Sequence, residues 1–216
     1  MAVTLAELRT RVQHRLAEPI AAGHWFTPET VNSYINDAIR EVFLRIVEVN
    51  PDFFGVSTES FQTVANQETY SLTGDVFEIR YVAIDNQRLA ERTIEERFRF
   101  NIPGRPRMYY WYINYTGTPT TQIGLLPPPD GVYTVDVWYI PRPKKLVNDT
   151  DFLDMPDELA DIIVPFATAL ALKADKQAYQ QEEAEYQVRM TRYLSFVARG
   201  KSGGPQYVNY TFYFDI

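Results

Sequence analysis

The sequence predicts an α+β protein: N- and C-terminal helices forming a helical bundle body, a central antiparallel β-domain and an extended C-terminal aromatic tail. Three observations carry that expectation. Apolar residues recur at helical spacing over the first fifty positions and again from 156 to 199, whereas from 56 to 140 they recur every second position. Beyond Gly200 a glycine-rich link leads into a further alternating run. The expected organisation is a helical body from 1–50 and 150–199, an antiparallel β insertion over 51–149, and a linker with a strand-like tail over 200–216.

Thr4 followed by Glu7 has the spacing of a capping box, in which each side chain satisfies an orphan backbone donor. Leu5, Leu8, Val12 and Leu16 then share one helical face. After a break at 19–23, Thr27-Pro28 is an N-cap and first-turn signal. Val31, Ile35, Ala38, Ile39, Val42, Phe43, Ile46 and Val47 make a broad apolar stripe, with Tyr34 beside it, that reads as core packing. Asn50-Pro51 ends the helix.

In the β region, 56–64 and 69–72 flank the polar link 65–68 as in a hairpin, and 77–84 is a strand ending at the Asp85-Asn86 turn. Residues 93–100 read as a short helix capped by Thr93. Strands at 108–115, 122–126 and 132–140, separated by Gly and Pro turns, complete a meander. Such short strands predict an antiparallel sheet or small sandwich.

Helices resume after the proline-rich crossover 141–145. Pro156-Asp157-Glu158 opens one helix, its acids suiting the positive end of the dipole. Leu159, Ile162, Ile163, Phe166 and Leu170 line its expected buried face, with Pro165 as a kink. A second helix over 177–199 buries Tyr186, Met190, Tyr193 and Val197 and turns Glu182, Glu183 and Glu185 to solvent. The tail places Val208, Tyr210, Phe212, Phe214 and Ile216 on one face, against Tyr207, Asn209, Thr211, Tyr213 and Asp215. Each large side chain left in water forgoes roughly 1.5–3 kcal/mol of burial. The run is therefore expected to add as a strand to a partner or neighbouring subunit, the contact residues being Tyr207, Val208, Tyr210, Phe212, Tyr213, Phe214 and Ile216.

Composition removes most enzyme classes. The 216-residue chain has no cysteine, two histidines (His14 and His24) and a formal charge of −7. Thiol nucleophiles, thiolate metal sites and three-histidine centres are excluded, and no metal or cofactor is expected. An acidic chain is a poor default for gripping a nucleic-acid backbone. The N-terminus lacks the blocks of a signal peptide, and the longest near-apolar stretch, 162–172, is about half the ~20 residues that cross a bilayer. The expectation is a soluble protein, intracellular when made, with no membrane contact.

Motif matches are poor. Gly200-Lys-Ser-Gly-Gly204 fits a nucleophile elbow by letter, yet a helix precedes it and a strand follows, the reverse of what that motif needs. It also lacks the first glycine of a phosphate loop, and Asp149, Asp151 and Asp154 lack the glycine and terminal glutamate of a calcium loop. The carboxylates Glu95, Glu96 and Glu158 fit helix caps or solvated faces. The aromatic run Tyr109-Tyr-Trp-Tyr112 with Tyr115 puts rings on both faces of one strand, and the face turned from the core needs a cover, a subunit or a stacked ligand. Tyr110, Tyr112, Tyr115, Arg105 and Arg107 are candidate inter-subunit or tail contacts, and Arg142, Lys144 and Lys145 candidate phosphate contacts.

The order of segments then becomes informative. Phe61-Gln-Thr-Val-Ala-Asn-Gln-Glu-Thr-Tyr-Ser-Leu72, Gly104-Arg-Pro-Arg-Met-Tyr-Tyr110, Ile123-Gly-Leu-Leu-Pro-Pro-Pro-Asp-Gly131 leading into Tyr139, and Met155-Pro-Asp-Glu-Leu159 follow two leading helices. This arrangement, over roughly 4–197, resembles head-to-tail adaptor (connector) proteins of short-tailed bacteriophages. One departure is Ala65-Asn66, where that family often has glycine. The resemblance implies a non-enzymatic virion protein at the portal vertex, assembled in the host cytoplasm as a twelvefold ring. It implies docking on the portal protein after DNA packaging, genome retention until ejection, and a platform for a tail or nozzle protein. Head-to-tail interfaces close into such rings when the rotation permits, and twelve acidic chains would let genomic DNA slide with only transient contact. The alternatives are a cell-wall-degrading or carbohydrate-binding phage protein, which would use the aromatic strand as a sugar platform and paired carboxylates among Glu95, Glu96 and Glu158 as acid and base, and a nucleic-acid-binding module.

Overall fold

The computed structural model describes residues 2–16, 18–100 and 102–202. The chain forms two compact units, one comprising residues up to Phe53 and from Pro143 onward, the other Phe54–Arg142.

The first unit contains α1 (Leu5–Leu16), α2 (Pro28–Val49), α3 (Ala160–Ala174) and α4 (Gln180–Ser202). The Thr4 hydroxyl accepts a hydrogen bond from the Glu7 backbone at 3.3 Å. The Glu7 carboxylate turns to Arg11 instead of closing the box. Thr27 caps α2 by accepting from the Thr30 N–H, with Pro28 in the first turn. The whole expected stripe of α2 is buried. It also carries Asn36, a buried amide whose two ends bond the carbonyl and N–H of Leu146 at 2.9 and 2.8 Å. That pairing belongs with Leu5 N–H to Asp151 C=O at 2.8 Å. Both hold the crossover to the helices, so residues 143–149 lie in this unit, whereas the sequence assigned them to the β insertion.

Two helical expectations need correction. α3 is not buried along one face: Ile162, Ile163, Val164, Ala167, Ala169 and Ala171 enclose it on nearly every side. The reason is its position, since it packs against α1, α2 and α4, so single-face periodicity underestimates it. Glu182 and Glu185 are not a solvated face, because both meet Arg15 of α1. Tyr186, Met190 and Val197 are buried as expected, with Tyr186 stacked on Phe166 at 4.2 Å. The helix runs through Gly200 to Ser202, so the first three residues of the expected linker are helical.

The second unit holds two four-stranded sheets. The strands are β1 (Ser57–Gln62), β2 (Thr69–Ser71), β3 (Val76–Ile84), β4 (Gln87–Arg88), β5 (Ala90–Glu91), β6 (Met108–Asn114), β7 (Thr120–Leu126) and β8 (Thr134–Pro141). Their orders are β1-β8-β3-β4 and β2-β7-β6-β5. All pairs are antiparallel except β5 with β6. A core cluster spans both sheets, with Val82, Ile84, Val135 and Val137 from one and Tyr70, Tyr109, Ile123 and Leu125 from the other.

The hairpin expected over 56–72 does not form. β1 pairs with β8 and β2 with β7, so the chain changes sheet between them. The intervening turn is tied by the Tyr70 hydroxyl, which accepts from Val64 N–H at 3.0 Å and donates to Gln67 C=O at 2.8 Å. Phe61 and Tyr70 then stack at 4.8 Å. Asn66 takes φ +66°, the left-handed conformation that glycine, or more rarely asparagine, supplies. The meander is likewise incomplete, because β8 crosses to β1 and β3 rather than joining β7. Alternation specifies a strand and its faces, not its neighbour. The 93–100 helix is a 3-10 turn, Ile94–Arg99, and Thr93 makes no side-chain cap bond.

Candidate interaction surfaces

The aromatic strand β6 uses its two faces differently from a platform. Tyr109 enters the core, its hydroxyl 3.4 Å from Glu91. Burial, with the nearby Glu91 charge, pushes its pKa up to about 12. Tyr110 points the other way and is still only 1% exposed. Its ring covers Gly124, its register partner on β7, and its hydroxyl donates to Glu68 at 2.5 Å. Arg97 of the 94–99 turn, which packs against β6, reaches the same carboxylate at 3.4 Å. Desolvation, then the hydrogen bond to Glu68, raises the Tyr110 pKa further. The face turned from the core is thus covered from within the unit, and Tyr110 is not accessible to a partner.

The other expected contacts divide. Tyr112 is half-buried and lies parallel to Tyr110 at 6.3 Å. Tyr115 is 74% exposed and lines a hollow of about 210 Å³ together with Arg142, so two residues singled out for different partners meet at one place. Arg142 is held there by Asp75 at 3.3 Å and by Val76 C=O at 3.2 Å. Arg105 pairs with Asp85 at 2.9 Å and lies over the Tyr133 ring. Arg107 is exposed, and so are Lys144 and Lys145 on the helical unit. The tail contacts Tyr207, Val208, Tyr210, Phe212, Tyr213, Phe214 and Ile216 lie outside the described residues.

Glu95 and Glu96 sit on the 94–99 turn of the β unit, Glu96 with Arg92 at 3.6 Å, while Glu158 belongs to the helical unit. Among the described residues no group of three or more His, Cys, Asp or Glu is placed to hold a metal ion. No helix among them is long and apolar enough to cross a membrane.

Sequence reasoning missed the exposed apolar side chains of the loops, above all Phe98, Ile102 and Phe152. The available signal was Phe98, Phe100 and Ile102 alternating with Arg97 and Arg99, a segment read above only as a short helix.

A family model described as SU10 adaptor protein matches residues 3–208. The chain belongs to that family. The match enters the tail, eleven residues past the stretch on which the resemblance rested. Membership makes the adaptor a structural protein of a bacteriophage, the head–tail adaptor expected from segment order. A comparison of the adaptor with curated proteins found no significant match.

Proposed function

We propose that the adaptor assembles as a homo-oligomeric ring, with twelve subunits the expected number. The ring docks on the portal protein once DNA is packaged, retains the genome and presents the attachment platform for a tail or nozzle protein. The observation that carries this reading is the family match across 3–208. The surface supports it: both units expose large apolar side chains, among them Trp25, Phe152 and Phe196 on one and Phe98, Ile102 and Tyr115 on the other. Exposed apolar patches mark interaction sites, and none of these residues joins a cofactor or acid–base constellation.

In this reading the helical unit forms the ring body and the aromatic tail docks on the portal or an adjacent protomer. Tyr112, Tyr115, Arg105 and Arg107 contribute contacts to a neighbour or to the tail, and Arg142, Lys144 and Lys145 touch passing DNA without gripping it. The role needs no cofactor and no catalytic residue. Electron microscopy of the full chain mixed with its cognate portal tests it: the expected result is a ring beneath the portal, and a portal left bare at saturating adaptor overturns the proposal.

A further inference from the structure

The β unit displays an apolar and cationic segment. Phe98 is 76% and Ile102 83% exposed, and Ile94 is exposed just before them. Burying each such side chain is worth about 1.5–3 kcal/mol. On the same segment Arg97 and Arg105 are committed to Glu68 and Asp85. Arg99 and Arg107 are exposed and reach no carboxylate among the described residues.

The helical unit displays the complementary chemistry. Its 147–158 segment exposes Phe152 (56%) and Val147. Asp154 and Glu158 of the same segment are exposed and pair with no basic group among the described residues. Phe152 lines a hollow of about 270 Å³ with Leu146, Thr150, Asp151 and Asp154, and Lys144 and Lys145 complete the lining. The hollow therefore offers an apolar patch, two carboxylates and two ammonium groups.

We propose that residues 94–100 and 102–107 of one adaptor copy dock on the 147–158 segment of a second copy. Phe98 enters the hollow beside Phe152, and Arg99 and Arg107 face Asp154 and Glu158. The occupant is a second copy because a head-to-tail interface needs two different, mutually complementary patches on the same chain. These two are opposite in net charge and matched in apolar content. Opposed patches of this kind set partner choice and register across an interface. This inference rests on the ring reading above.

The natural absence of cysteine permits a direct test. Two full-length chains, one Phe98→Cys and one Phe152→Cys, are mixed with cognate portal and mildly oxidised. Both positions are exposed, so the folds should survive, and melting curves check this. The expected result is a shift of both chains from monomer to a mixed disulfide dimer on a non-reducing gel. The control, Phe98→Cys with Val188→Cys, should stay monomeric; Val188 is also exposed but lies on α4. Rings seen by microscopy with no excess of the mixed dimer overturn this interface and leave the ring reading standing. Absence of both rings and dimer overturns the two together. Capture of Phe98→Cys by the portal chain instead also overturns the assignment to a second copy.

Discussion

At the scale of single residues, the decisive contact is the Tyr110 ring over Gly124. A Cβ at position 124 would run into that ring, which its bond to Glu68 and its burial prevent from moving away. Gly124→Ala should therefore destabilise the protein by about 1–3 kcal/mol, the usual cost of overpacking. Gly131→Ala, with open space around it, should leave the urea midpoint unchanged or slightly raised. Equal effects of the two changes would show that the ring does not constrain the site.

The buried tyrosines also make a statement about pH. Burial, with Glu91 secondarily, pushes Tyr109 up to about 12, and burial pushes Tyr186 to about 12. Their folded values lie above the ordinary value of about 10, so folding favours the neutral phenols. That stability is complete below pH about 10 and is lost as pH rises toward 12. The urea midpoint should fall across that window, and less steeply in Tyr186→Phe. The Tyr186 hydroxyl bonds to no protein group among the described residues, so this change should cost little at pH 7.

At the scale of elements, Arg15 joins α1 to α4. It meets Glu182 at 2.6 Å and Glu185 through two nitrogens at 2.9 Å each, and Arg189 meets Glu185 at 2.7 Å. The hydrogen bond from Arg15 is the main cause holding the Glu185 carboxyl below its usual range. Because the side chains are partly exposed, Arg15→Ala should cost only about 1–2 kcal/mol, less than a buried network would. A depressed carboxylate pKa contributes stability above the unfolded value of about 4.3 and loses it as pH falls through the folded one. The difference between wild type and Arg15→Ala should accordingly shrink below about pH 4 in urea titrations. A difference that persisted at pH 2 would show that Arg15 acts through packing alone.

At the scale of the whole molecule, the tail and the basic side chains carry the predictions. Truncation after Ser202 should leave the thermal midpoint unchanged while abolishing portal binding; unchanged binding would sink the proposed role of the tail. The structure sets that cut, because α4 continues through Ser202. The proposed DNA contact has to be weak: a chain at −7 with a few exposed cations should bind duplex with low affinity and a shallow salt dependence, because few phosphates are neutralised. Arg142→Glu, which lies outside the proposed inter-copy site, should remove the residual anisotropy signal of the assembled ring at low salt. An unaffected signal would move the contact elsewhere.

By itself the sequence determined the α+β class, the helix starts at Thr4 and Thr27, the α2 core stripe and the positions of the six longer strands, because local backbone chemistry and burial period set these; the two-residue strands β4 and β5 carry no such period. Segment order pointed to the adaptor family, and scarce histidine with absent cysteine removed thiol nucleophiles, thiolate metal sites and three-histidine centres. Only the tertiary structure decided which strands pair. Period two describes faces and not neighbours, and Tyr70 closing the 64–67 turn sends β1 and β2 to different sheets. Tertiary packing also decided which side chains are free. Tyr110 looked available and is sealed beneath its own unit, whereas Phe98 and Phe152 looked ordinary and stand in water. Exposure depends on what packs above a residue, and residues distant in sequence supply that cover.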